Sequence, residues 1–209
     1  MSKKQLGFYI RADACVGCKA CQVACKDNYD LPVGIVWRRV IEYGGGSWVE
    51  KDGVQVPSNI FGYFVPVACM HCASAPCVDV CPTGAMYKRE EDGVVLINQD
   101  QCIGCRYCEW ACPYGAPQFD SNKGEMTKCT FCVDKIEVGQ DPVCVAACPM
   151  RALDYGDLSE LQAKHGTLAA IEPLPQSNMT GPAVVIEPHK QAQPSGTGTG
   201  RIISLPEEI

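Results

Sequence analysis

Positive charge is scarce in this 209-residue chain: 18 Lys and Arg stand against 24 Asp and Glu, a formal net charge of −6. That balance argues against a nucleic-acid partner, which would need clustered cations to neutralise phosphates. Aromatics are sparse too, at 8%, and the 46% hydrophobic content includes every Cys. A conventional core would therefore be thin. No run of about 18 apolar residues occurs, so no direct membrane span is expected and membrane association would come through another subunit. The opening MSKKQLGFYI reaches Arg11 and Asp13 without the apolar stretch of a signal peptide. The length fits one domain or two small fused ones.

What the chain has instead is 16 Cys. Disulfides belong to oxidising compartments and usually to short secreted chains. A chain made in the cytosol without an export signal of its own would meet reducing conditions, and these Cys fall into tight groups of four with none left over. The groups are Cys15, Cys18, Cys21, Cys25; Cys69, Cys72, Cys77, Cys81; Cys102, Cys105, Cys108, Cys112; and Cys129, Cys132, Cys144, Cys148. The first and third share C-x2-C-x2-C-x3-C. The second and fourth keep the opening C-x2-C and the closing C-x3-C around a longer middle gap.

Zinc also uses C-x2-C knuckles, but typically as two separated pairs. Three Cys crowded into seven residues, with a fourth just beyond, suit three corners of one iron–sulfur cubane. The fourth commonly ligates the other cluster of a two-cluster unit. Pro82, Pro113 and Pro149 follow three of the closing Cys, as in bacterial ferredoxins, and Lys26 takes that place in the first group. Sixteen thiolates predict four 4Fe–4S clusters, each fully ligated. With no open iron site, no catalytic residue is expected in this chain, and electron transfer is what remains.

The expected fold is α+β: two interleaved bacterial-ferredoxin-like modules, each with two 4Fe–4S clusters, plus a β-hairpin insertion and an extended C-terminal tail. Residues 68–120 form one module around groups two and three, with a hairpin turning near Asp92-Gly93 and an apolar strand over Val94, Val95, Leu96 and Ile97. Residues 1–30 and 121–156 form the other around groups one and four. Internal similarity supports this, since FYIRADACVGCKAC parallels VLINQDQCIGCRYC and CPTGAMYKREEDG parallels CPMRALDYGD. The crossed-ligand rule then predicts clusters on Cys15, Cys18, Cys21 and Cys148; on Cys25, Cys129, Cys132 and Cys144; on Cys69, Cys72, Cys77 and Cys112; and on Cys81, Cys102, Cys105 and Cys108. Sequential pairing, group one with two and three with four, is the alternative.

Residues 31–67 read as a β-rich insertion, two β-like runs separated by Gly44-Gly45-Gly46 with a turn at Asp52-Gly53. Within 157–209, a short helix runs from an Asp157 N-cap to Gly166, and the rest is an extended tail, either frayed or laid across a partner, whose Val184, Val185, Ile186, Ile202 and Ile203 favour docking. Gly17 and Gly104 sit inside the cluster loops, where the absence of a Cβ helps the backbone bend. Lys19 and Arg106 occupy equivalent places, where a cation either raises a cluster's potential or forms an exposed salt bridge. His71 lies between two Cys, but the Cys tally already fills every site. Trp37, Trp48 and Trp110 are expected to pack around the clusters.

Beyond the Cys, the stretches WRRVIEYGGGSW, CPTGAMYKREEDG, CIGCRYCEWACPYGAPQF, KGEMTKC, CPMRALDYG and KHGTLAAIEPLP resemble the iron–sulfur subunits of anaerobic dimethyl sulfoxide reductases, four-cluster electron-transfer subunits of membrane-bound molybdoenzymes. The resemblance runs nearly end to end. It implies a relay between an integral membrane quinol-oxidising anchor subunit and a molybdopterin-containing catalytic subunit that reduces dimethyl sulfoxide and related S- and N-oxides in anaerobic respiration. Molybdopterin would sit only in the partner. The protein would be peripheral on the bacterial cytoplasmic membrane through its partners. Some relatives carry Trp where this chain has Cys105 and hold a 3Fe–4S cluster there, so four cubanes are expected here. A thiosulfate, polysulfide or formate molybdoenzyme, or a free-standing polyferredoxin, remains the alternative.

Overall fold

A computed structural model describes residues 4–204; residues 1–3 and 205–209, the outer ends of the first and last expected segments, lie outside the described residues. In chain order the elements are β1 (Leu6–Arg11), α1 (Ala20–Asn28), β2 (Arg39–Lys51), β3 (Val54–Val67), α2 (Pro76–Asp79), β4 (Met86–Lys88), β5 (Val95–Ile97), α3 (Tyr107–Ala111), β6 (Gln118–Asp120) and β7 (Glu125–Thr127). Then follow α4 (Val133–Ile136), α5 (Val143–Ala146), β8 (Leu153–Asp157), α6 (Leu158–His165), β9 (Val184–Glu187) and β10 (Arg201–Ile202). The protein is thus a mixed α and β structure with short helices and small sheets.

Two antiparallel ladders repeat one design. In the first, β4 pairs with β5 and sets Met86 opposite Ile97. In the second, β8 pairs with β1 and sets Leu153 opposite Ile10. Met86 and Leu153 each lie five residues after a closing Cys, Cys81 and Cys148; Ile97 and Ile10 each lie five residues before an opening one, Cys102 and Cys15. The same register therefore brings Cys81 to the third group and Cys148 to the first. One ladder joins neighbours in sequence, whereas the other spans almost the whole cysteine-bearing region.

Proline governs how the short helices end. Pro cannot continue a helix and disfavours helical backbone in the residue before it, and α3 stops at Ala111, ahead of Cys112-Pro113. Lys26 follows Cys25, so α1 runs on to Asn28, and the Lys26 ammonium donates to the carbonyls of Pro32 (2.6 Å) and Ile35 (3.1 Å).

The insertion is one long hairpin. Asp52 and Gly53 both have positive φ, +53° and +77°, as a tight two-residue turn requires. Gly44-Gly45-Gly46 does not separate two strands: β2 passes through it, and the ladder absorbs the irregularity as a register shift between Gly45 and Ser47. Only the inner end is core. Val40, Tyr43, Tyr63, Val65 and Val67 are buried, while Trp48, Val49 and Val54 face solvent.

One stretch of the expected partner-docking tail is core. Val184, Val185 and Ile186 are at most 1% exposed, because β9 pairs in parallel with β1 and completes a sheet of order β8-β1-β9. A run apolar on both faces belongs in a covered sheet, and this protein supplies the cover itself. Further on, β10 pairs with β2. The helix α6 is as expected: Asp157 accepts from the Ser159 N–H at 2.9 Å, and Gly166 ends it at φ +87°.

Candidate metal centres

Each closing C-x3-C places two thiols four residues apart, and in α1, where that is about one helical turn, both leave the same side of the helix. Cys21 and Cys25 lie within α1, and Cys77, Cys108 and Cys144 lie on α2, α3 and α5 with their partners just beyond. A helix built this way presents one thiol to each of two neighbouring sites.

The thiols gather across the sequence groups. Cys15, Cys18, Cys21 and Cys148 line one cavity; Cys81, Cys102, Cys105 and Cys108 line another. The two cavities have matching walls, with Val16, Met150, Ala152 and Leu153 in one where Ile103, Thr83, Ala85 and Met86 stand in the other. Between them, Cys25 interacts electrostatically with Cys132 and Cys144, and Cys129 with Cys25 and Cys144. Cys77 in turn interacts with Cys69, Cys112 and Cys72. Neighbouring sets also interact electrostatically, Cys21 with Cys144 and Cys129 with Cys69.

Burial pushes most of these thiols up, to about 11 for Cys21 and Cys108 and about 12 for Cys25 and Cys77. Ligation must therefore displace protons, since the metal ligand is the thiolate. Backbone N–H groups work the other way. Met86, Met126, Phe131 and Ala152 donate to the sulfurs of Cys81, Cys102, Cys129 and Cys148 at 3.3–3.4 Å. Burial alone would raise the Cys81 thiol, but bonds from Met86, Thr83 and Ala85 leave it below its ordinary value.

The residues fit iron–sulfur clusters. Among the described residues, no three His, Cys, Asp or Glu side chains converge as ligands of a single ion; four thiols instead surround a cavity, as a cubane requires. Buried nitrogens at Trp37 Nε1, Arg38 Nε, Arg39 Nε and His71 Nε2 have no hydrogen-bond partner among the described residues. All four can carry N–H donors, and thiolate and sulfide are acceptors.

The structure sorts the remaining expectations. A Cβ on Gly17 (φ +69°) would come within 2.5 Å of the Phe64 ring, and one on Gly104 (φ +65°) would overlap the Gly124 carbonyl. Protein packed outside each loop thus demands glycine, besides the bend itself. Lys19 lines the cavity of Cys15, Cys18, Cys21 and Cys148. Arg106 instead pairs with Glu109 at 2.7 and 2.9 Å on the surface. Trp37 packs with Cys25, Cys69 and Cys129, whereas Trp48 and Trp110 are 68% and 74% exposed, one on the outer hairpin and one on α3. His71 is a core residue: Nδ1 accepts from the Val95 N–H at 3.0 Å, and burial, with Lys128 and Arg38 nearby, holds the ring well below its usual pKa.

Sequence reasoning missed two buried cations. Lys128 is 3% exposed and donates to the carbonyls of Val95 and Cys129. Arg38 is 1% exposed; it donates to the sulfur of Cys144 at 3.3 Å and to the Pro66 carbonyl at 3.1 Å, and it lies 4.5 Å from the Phe8 ring centroid. The available signal was two adjacent Arg in the apolar run VWRRVIEY of an acidic chain.

A family model described as a 4Fe-4S dicluster domain matches residues 60–158. The sequence is 49% identical over 205 residues to the B subunit of anaerobic dimethyl sulfoxide reductase of Escherichia coli, covering 98% of each. The protein of the same name from Haemophilus influenzae is 48% identical over 206 residues, 99% of this chain and 100% of that one. A formate dehydrogenase iron–sulfur subunit of Wolinella succinogenes is 38% identical over 178 residues, 75% of this chain and 83% of the relative.

Proposed function

The protein belongs to the family of anaerobic dimethyl sulfoxide reductase B subunits, and from that premise we propose that it is the electron relay between a quinol-oxidising membrane subunit and a molybdopterin-containing catalytic subunit. The catalytic partner would reduce dimethyl sulfoxide and related S- and N-oxides. This chain supplies no catalytic residue and holds 4Fe–4S clusters, the cofactor its family model describes. No helix among the described residues is long and apolar enough to cross a membrane; attachment to the cytoplasmic membrane would come through the anchor.

In the finer reading, the four thiol sets hold four cubanes in two interleaved ferredoxin-like modules, one within residues 68–120 and the other around it. One observation carries this reading: each set draws thiols from two sequence groups and lies near the next, since Cys21 interacts electrostatically with Cys144 and Cys129 with Cys69, and α3 carries Cys108 with Cys112 at its end. The order along the relay is then Cys148, Cys144, Cys112 and Cys108, naming one ligand of each site. The bound clusters supply one-electron acceptors at short spacing. The protein's part is to fix that spacing on short helices, to offset anionic sulfur with N–H donors and cations, and to exclude water from the central sites.

Purification from native membranes followed by redox cycling tests the proposal. The protein should copurify with a molybdenum subunit and a membrane subunit. A menaquinol analogue should bleach its clusters, and dimethyl sulfoxide should restore their absorbance. Isolation as a soluble loaded monomer that donates to unrelated acceptors would refute it.

A further inference from the structure

Arg38 differs from Arg106, Lys128 and Lys88, three other cations near the thiol sets. Arg106 is exposed and neutralised by Glu109, and Lys128 and Lys88 aim their ammonium groups at backbone carbonyls. Arg38 directs a guanidinium N–H at a sulfur, Cys144 Sγ at 3.3 Å. Its second amino group is held by the Pro66 carbonyl, at the inner end of the hairpin. Phe8 packs beneath its plane and stacks on Phe131 at 4.2 Å between ring centroids. Its Nε has no hydrogen-bond partner among the described residues.

The charges facing this guanidinium come from Cys144, Cys21 and Cys129. Burial alone would pull its pKa down, but those sulfurs more than restore it, and an Arg side chain stays protonated in any case. A permanent positive charge therefore sits at the junction of two thiol sets, where little solvent screens it.

We propose that Arg38 is the positioning residue that sets the reduction potential of the cluster held by Cys25, Cys129, Cys132 and Cys144, through its contact with Cys144. The inference rests on the cluster reading above. Reduction adds one electron, delivered by a neighbouring cluster, to an anionic cubane; no proton moves. A fixed cation stabilises the reduced form more than the oxidised one, because the reduced form is more negative. The site is thereby kept reducible between its neighbours along the relay.

The test is redox-poised EPR titration of the purified complex carrying Arg38→Gln or Arg38→Lys, with iron content measured on each sample. Arg38→Gln should lower one cluster's midpoint by at least tenfold in its one-electron equilibrium, about 59 mV. A smaller fall is expected in the cluster sharing Cys21 and none in that of Cys81, Cys102, Cys105 and Cys108. Arg38→Lys keeps the charge and should leave the midpoints close to wild type. A loaded Arg38→Gln protein with unchanged midpoints would overturn the proposal, as would an equal fall in both variants. If Arg38→Gln fails to load, Arg38→Lys decides: full loading with wild-type midpoints supports a role for charge, whereas failure of both assigns Arg38 to packing and overturns it. Absence of iron from the wild-type complex would instead refute the underlying cluster reading.

Discussion

Cys21 and Cys25 lie four residues apart on α1, yet their thiols join different sets: Cys21 lines a cavity with Cys15, Cys18 and Cys148, while Cys25 stands among Cys129, Cys132 and Cys144. One turn of helix is thus a bridge between two sites, about 6 Å long at 1.5 Å per residue.

This crossing makes Cys148→Ser informative. The substitution should abolish or convert the cluster served by Cys15, Cys18 and Cys21, in the chain's opening loop, and leave the signal of the Cys25, Cys129, Cys132 and Cys144 site. EPR of the reduced complex reads the difference. Loss of the latter signal with the former intact would contradict the crossed assignment, and sequential pairing would instead cost the cluster of Cys102, Cys105 and Cys108.

Gly17→Ala should destabilise the loaded protein through two separable terms. The left-handed backbone costs a non-glycine residue roughly 1–2 kcal/mol, and the new methyl group meets the Phe64 ring. The temperature at which cluster absorbance is lost should fall. Adding Phe64→Ala should recover only part of that fall, because it relieves the overlap and not the backbone. Full recovery, or no fall in the single variant, would contradict the assignment.

The strand β9 is core, so Val185→Asp should be severe. An unpaired carboxylate at a fully buried position costs about 3–5 kcal/mol. Ile202→Asp, at 43% exposure, should stay within about 0.5 kcal/mol of wild type. Urea denaturation followed by cluster absorbance compares the two, and equal midpoints would place β9 outside the folding unit.

How much of this was legible beforehand follows from how local each feature is. The four Cys groups, the Asp52-Gly53 turn and the Asp157 cap are written in adjacent residues, and the structure has each feature where local chemistry puts it. The Val184–Glu187 strand was not legible as such, because its partner β1 lies more than 170 residues away in sequence and its surroundings are rich in Gly and Pro. Gly44–Gly46 misled in the opposite direction, since a bulge and a break look alike locally. Arg38 was hidden by its own chemistry: two adjacent Arg in a β-like run suggest a solvated edge, and only tertiary packing reveals that one of them faces sulfur.

Removing the clusters should unfold the protein. Few aromatics fill the core, and the two thiol-lined cavities would lose the groups that cross-link the chain. Iron chelation under reducing conditions should abolish near-ultraviolet dichroism and any cooperative thermal transition. A sharp transition in cluster-free protein would show that the polypeptide core suffices.

The most direct test of the relay is quantitative iron and acid-labile sulfide analysis of the purified complex, combined with spin integration during a reductive titration. Four iron atoms are expected for each set of four Cys in this chain, and four cubanes that each take up one electron. Two clusters only, or zinc in place of iron at any set, would contradict the four-cluster relay.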